Sequence, residues 1–91
     1  MDTSTVYIGL DVHSRTCSIC WIGPEGDLRG QQSFPTSEQN LIDQVQDIGG
    51  EAKLLALEEG PLAFWTARTL REELDQVVVC DPRENRMISR A

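Results

Sequence analysis

Basic residues are scarce in this chain: eight Lys and Arg stand against fifteen Asp and Glu, for a net charge of −7. A protein that holds a nucleic-acid backbone by itself normally carries a basic surface, so this balance counts against strong, self-sufficient DNA binding by these 91 residues. It leaves room for a carboxylate-rich metal site, which needs the acids and can leave phosphate contacts to other parts of a longer protein. Long apolar runs are also missing, and none approaches the ~20 residues of a membrane span. The opening MDTSTVYIGL has no basic segment ahead of its apolar stretch, which argues against a secretory leader and for a cytoplasmic protein. Three cysteines make an odd set, against a disulfide framework and in keeping with a reducing compartment. Cys17 and Cys20 have a C-x-x-C spacing, but they fall inside an expected strand, where residues three apart face opposite sides. No second Cys/His pair follows, so they are read as buried apolar cysteines. Internal repeats and low-complexity segments are absent.

The length suits one small domain of modest stability. Apolar residues make up 40% and charged residues 25% of the chain, which places it among ordinary soluble globular proteins. Thr5 to Leu10 (TVYIGL) is apolar on both faces, the pattern of a central strand buried on two sides. Thr16 to Ile22 (TCSICWI) is a second strand, closed by the Gly23-Pro24-Glu25-Gly26-Asp27 hairpin. Leu28 to Phe34 is a weaker third strand, and Gly30, Gln31-Gln32 and Pro35 mark it as an edge. The period then changes. Thr36-Ser37-Glu38-Gln39 has a capping-box pattern, Leu41, Ile42, Val45 and Ile48 recur at helical spacing, and Gly49-Gly50 is a stop. Lys53 to Leu57 (KLLAL) is a fourth strand ending in Glu58-Glu59-Gly60. Pro61 opens a helix striped by Ala63, Ala67, Leu70 and Leu74. Val77 to Cys80 is a fifth strand, and Arg83 to Ala91 read as the start of another helix.

The order β-β-β-α-β-α-β-(α) predicts an α/β fold with a mixed five-stranded sheet. An antiparallel meander comes first, then parallel strands joined by crossovers, with flanking helices. That is the layout of the RNase H-like fold, in which the first strand is central and the fourth lies beside it. The chemical consequence is specific. Asp11 and Glu58 fall at or just past the carboxyl ends of two parallel neighbours about 4.8 Å apart, where two side chains can meet one cation. Hard divalent cations take oxygen ligands, and two such ions serve phosphodiester chemistry. The same acids also suit plainer roles, Asp11 as a turn former and Glu58-Glu59-Gly60 as a solvated helix entry.

The stretches YIGLDVHSRT and ALEEGPLAFWTARTLREELDQVVVCDPRENRMISRA resemble the N-terminal domain of RuvC-like DEDD transposases of insertion sequences, related to Piv-type invertases. The match runs through Gly9, Asp11, Val12 and Thr16, then Glu58, Gly60, Arg68, Leu70, Val77 to Val79 and Pro82, and covers nearly all of the chain. It implies that Asp11 is the first catalytic acid and metal ligand, and Glu58 the second. Many members have E-x-x-G where this chain has Glu58-Glu59-Gly60, one residue shorter, so Glu59 stands as the alternative. The family's remaining acids lie in a D-x-x-D motif beyond Ala91, and a catalytic Ser lies in a separate domain. Residues 1–91 are therefore expected to be the first part of the catalytic domain, inactive alone. In the whole protein the resemblance implies Mg²⁺ or Mn²⁺, DNA as substrate, a guide RNA in some members, and homo-oligomers. No membrane partner is expected, because no apolar run is long enough to span one.

Other residues have weaker functional readings. His13, the only histidine, lies two residues from Asp11 and could approach a metal or phosphate. Asp81 could face the same sheet edge as the acids or simply form a turn. Arg83, Arg86 and Arg90 could begin a nucleic-acid surface or a solvated helix face. Trp21, Phe64 and Trp65 are read as core or interface packing. Two other classes compete with the transposase. An actin-like or sugar-kinase ATPase would want a Gly- or Ser/Thr-rich phosphate loop after the first strand, and VHSRT at 12–16 lacks glycine. A non-catalytic assembly domain would present the PLAFW helix to a partner.

Overall fold

The computed structural model describes residues 5–81 and, in backbone only, 86–89. It is a mixed α/β fold. The strands are β1 (Thr5–Val12), β2 (Thr16–Ile22), β3 (Leu28–Pro35), β4 (Ala52–Glu58), β5 (Gln76–Asp81) and β6 (Arg86–Ser89); the helices are α1 (Glu38–Asp47) and α2 (Ala63–Leu70). The sheet order is β3-β2-β1-β4-β5-β6. β1, β2 and β3 pair antiparallel, while β1–β4 and β4–β5 pair parallel. The expected placement of β1 at the centre beside β4, and of β3 at an edge, is met.

The sheet has a sixth strand where a helix was expected. Arg86–Ser89 pairs antiparallel with β5, with Val79 opposite Ile88. Without it, one edge of β5 would present unpaired N–H and C=O groups, and Met87-Ile88 suits a pleated neighbour. The basic face drawn from Arg83, Arg86 and Arg90 assumed helical spacing. Arg86 is in a strand, and Arg83 and Arg90 lie outside the described residues.

Register sorts the sheet into two faces. Val6, Ile8 and Leu10 of β1, Cys17 and Ile19 of β2, Phe34 of β3, Leu55 and Leu57 of β4, and Val77 and Val79 of β5 are all buried. They form one core with Leu41, Val45 and Ile48 of the α1 region and Ala63, Ala67 and Leu70 of α2. Each Val, Leu, Ile or Phe among them contributes about 1.5–3 kcal/mol by leaving water. Both helices therefore cover the same face. This corrects the expectation of a first strand buried on two sides: Tyr7, on the other face, is 42% exposed, and Asp11 and Ala56 are exposed with it.

The helix starts differ in detail from expectation. The N-cap of α1 is Ser37, whose Oγ accepts from Asn40 N at 3.0 Å. Thr36 turns away to the β1–β2 turn, where its Oγ1 donates to His13 O at 2.6 Å and its N–H donates to Arg15 O at 2.9 Å. The carboxyl end of α1 is closed by a cation. Lys53, near the start of β4, donates from Nζ to Val45 O at 2.8 Å, where a positive charge complements the helix dipole. α2 begins at Ala63, with Pro61 in the turn before it. Its buried stripe adds Thr66, whose hydroxyl donates back to Leu62 O at 2.8 Å. Among the described residues, no helix is long and apolar enough to cross a membrane.

Candidate functional site

β1 and β4 run side by side in the same direction, with Gly9 opposite Ala56 and Leu10 opposite Leu57. One step further along both strands stand Asp11 and Glu58. Leu10 and Leu57 are buried against the helices, so by alternation Asp11 and Glu58 both belong to the face that no helix covers; both are exposed. Asp11 is next to last in β1 and Glu58 ends β4. The two acids thus share a face and a rim at the carboxyl ends of adjacent strands.

Glu59 follows β4, and its backbone N–H donates to Cys80 O at 2.7 Å. That bond fixes the turn out of the strand. A shallow groove of about 850 Å³ on the open face is lined by Asp11 and Glu58 but not by Glu59. Register and groove together set Glu58, rather than Glu59, beside Asp11.

His13 reaches Asp11 from the β1–β2 turn, with Nε2 3.1 Å from Oδ1. The turn carrying it is fastened at several points: His13 N donates to Thr16 O at 3.2 Å, and Thr36 holds His13 O and Arg15 O. The imidazole therefore meets one carboxylate oxygen from a braced position.

Asp81 is not part of this group. It ends β5 on the face of Val77 and Val79 and is buried, the side opposite Asp11 and Glu58. The cysteines divide as strand alternation requires. Cys17 is buried, with Sγ 3.1 Å from Thr36 Oγ1, while Cys20 is exposed in the groove, which corrects the reading of both as buried. Cys80, opposite Glu58 in the β4–β5 register, also lines the groove. Trp21 and Trp65 pack against the core and Phe64 is 46% exposed.

A row of side chains that the motif reading passed over shares the acid face. Asp11 is opposite Ser18, and Ser18 is opposite Ser33, their hydroxyl oxygens 3.5 Å apart. Alternation along TCSICWI would have placed Ser18 with Asp11 once the β1–β2 register was fixed.

Two exposed carboxylates on neighbouring strands are the donor type a hard divalent cation takes. Among the described residues no three of His, Cys, Asp and Glu converge as a metal-holding group, so this segment contributes a pair of acids. Comparison with protein-family models and with curated proteins gives no match.

Proposed function

We propose that this chain is the first part of an RNase H-like, RuvC-like catalytic domain of a DNA transposase or recombinase, acting by metal-dependent strand cleavage and transfer. The observation that carries this reading is the shared rim: Asp11 and Glu58 at the carboxyl ends of adjacent parallel strands, on the uncovered face. The strand order β3-β2-β1-β4-β5 around a central β1 supports it, as does the resemblance of the YIGLDVHSRT and ALEEGP stretches to DEDD transposases.

In this reading Asp11 and Glu58 hold Mg²⁺ or Mn²⁺ together with acids that follow Ala91, phosphate oxygens and water. A bound pair of such ions supplies nucleophile activation and stabilisation of the leaving oxygen. His13 steadies Asp11 through Oδ1, and the braced turn keeps it there. The substrate is DNA, the assembled enzyme is a homo-oligomer, and a guide RNA is a further partner in such systems. The acidic balance of residues 1–91 assigns most phosphate-backbone contacts to other regions of the protein.

The test is strand transfer by the complete protein. Asp11→Asn and Glu58→Gln should each abolish it while far-ultraviolet circular dichroism stays unchanged, and Glu59→Gln should keep most of it. Substantial transfer by a folded Asp11→Asn protein would falsify the assignment.

A further inference from the structure

We infer that the groove beside the acid rim is a nucleoside subsite: it takes the uncharged sugar and base next to the phosphodiester held at Asp11 and Glu58. This rests on the recombinase reading for the identity of the strand, but the groove's own chemistry selects which part of it binds.

The groove is a shallow, open depression of about 850 Å³ rather than an enclosed pocket, and its lining changes from one end to the other. Asp11 and Glu58 stand at one end, along the carboxyl rim. Behind the acids the floor is made of small residues, Gly9 and Ala56 on the two central strands, with the Cys20 thiol beside Gly9. Gly9 is small for a reason: a Cβ there would lie 3.3 Å from Cys20 Sγ, tighter than most such contacts. From the acids the same row runs on into neutral hydrogen-bonding groups, Ser18 opposite Asp11 and Ser33 opposite Ser18, with the amide of Gln31 one row back.

Among the described residues, no Lys or Arg lines the groove. A phosphate placed over Ser18 and Ser33 would face the Asp11 carboxylate on the next strand, with no lining Lys or Arg among those residues to offset it. A sugar or base carries no such penalty. Its hydroxyl, ring oxygen or amide edges match serine and glutamine side chains, each able to donate and accept. Its ring face can lie on the low Gly9–Ala56 floor, where longer side chains would hold it away. The phosphate is then left at the rim, where a divalent cation offsets the acids. Ser18 and Ser33 are already 3.5 Å apart on adjacent strands of a sheet, a spacing that lets one ligand group engage both.

The experiment uses the 91-residue chain in Mg²⁺ and two probes: a four-nucleotide single-stranded DNA and an abasic phosphodiester of the same length. Amide shifts report where each binds. The DNA should move Ser18, Gln31 and Ser33 and bind several-fold more tightly than the abasic probe. The double variant Ser18→Ala/Ser33→Ala should weaken DNA binding about three- to tenfold, as expected for losing neutral hydrogen bonds, and leave the abasic probe unchanged. Equal affinity for the two probes, or DNA-induced shifts that avoid β2 and β3, would overturn the subsite. Strand transfer by the complete protein separates the two ideas. Substantial transfer by a folded Asp11→Asn protein would count against the recombinase reading, while a base-dependent response on β2 and β3 of the 91-residue chain would still establish the subsite.

Discussion

The two faces of the sheet are built from the same strands and do opposite work. On the helix-covered face, Ile8, Leu55 and Val77 are almost wholly buried, and position after position is aliphatic. On the other face Gly9, Ala56 and Glu58, from the same strands, are small or charged and line the groove. Because side chains alternate along a strand, one residue's offset decides whether a side chain stabilises the fold or meets a ligand. Function can then vary on one face without disturbing the packing of the other.

The largest effect should come from adjacent positions of β4. Leu55→Ala should cost about 2–5 kcal/mol, the range for emptying a closed core site. That is a large share of the ~5–15 kcal/mol typical of a whole domain. Ala56→Ser, one residue on, should stay within about 0.5 kcal/mol, as surface changes do. Urea denaturation of both variants checks the contrast. A costly Ala56→Ser would mean that the second face is also packed, and the division into core and site would collapse.

A smaller effect should come from the charged residue on the covered side of β4. Lys53 is opposite Val6 in the β1–β4 register, yet its ammonium escapes the core by capping α1 through Val45 O. Lys53→Met keeps the apolar stem and loses the cation at the helix end, so stability should fall by about 1 kcal/mol. Thermal unfolding at low and high salt distinguishes the causes. A loss that shrinks as salt rises points to the dipole, and one that ignores salt points to packing.

Much of this division was legible in the sequence, and the failures have physical causes. The strand and helix periods of TCSICWI and KLLAL, and of Leu41 to Ile48, are set by local sterics and burial, so the order of elements and the Asp11–Glu58 rim could be read directly. Whether a face is covered depends on how many layers surround the sheet, which TVYIGL cannot encode. Tyr7 and Gly9 look as apolar as Val6 and Ile8, and only the placement of both helices on one side separates them. Thr36 and Ser37 are equally good caps by residue type. Thr36 is taken by the β1–β2 turn, a partner twenty-three residues away. Arg86 to Ser89 pairs with β5, and its spacing of charges suggested a helix because nothing local marks a sheet edge that needs a neighbour. Asp81 was ambiguous until the β4–β5 register fixed its parity with Val79.

The smallest effect concerns a carboxylate far from the rim and sharpens what sets the rim acids apart. Asp27, in the β2–β3 hairpin, accepts from Arg29 Nε at 3.0 Å. That guanidinium bond, helped by backbone N–H groups of the hairpin, holds the Asp27 carboxyl below its ordinary value. The pair crosses over Gly23, where a Cβ would come within 2.6 Å of both partners. A carboxyl with a lowered folded value adds stability above its unfolded value and loses it as pH falls through the folded one. Because Asp27 is solvent-exposed, the effect on unfolding should be lost within measurement error, and the titration itself is the informative signal. Arg29→Ala should raise the Asp27 midpoint toward that of an ordinary aspartate, measured by carboxyl carbon shifts between acidic and neutral pH. An unchanged midpoint would assign the lowering to the hairpin's backbone N–H groups instead. Asp11 meets the imidazole of His13 instead of a guanidinium, so the two carboxylates differ in the partner that holds them.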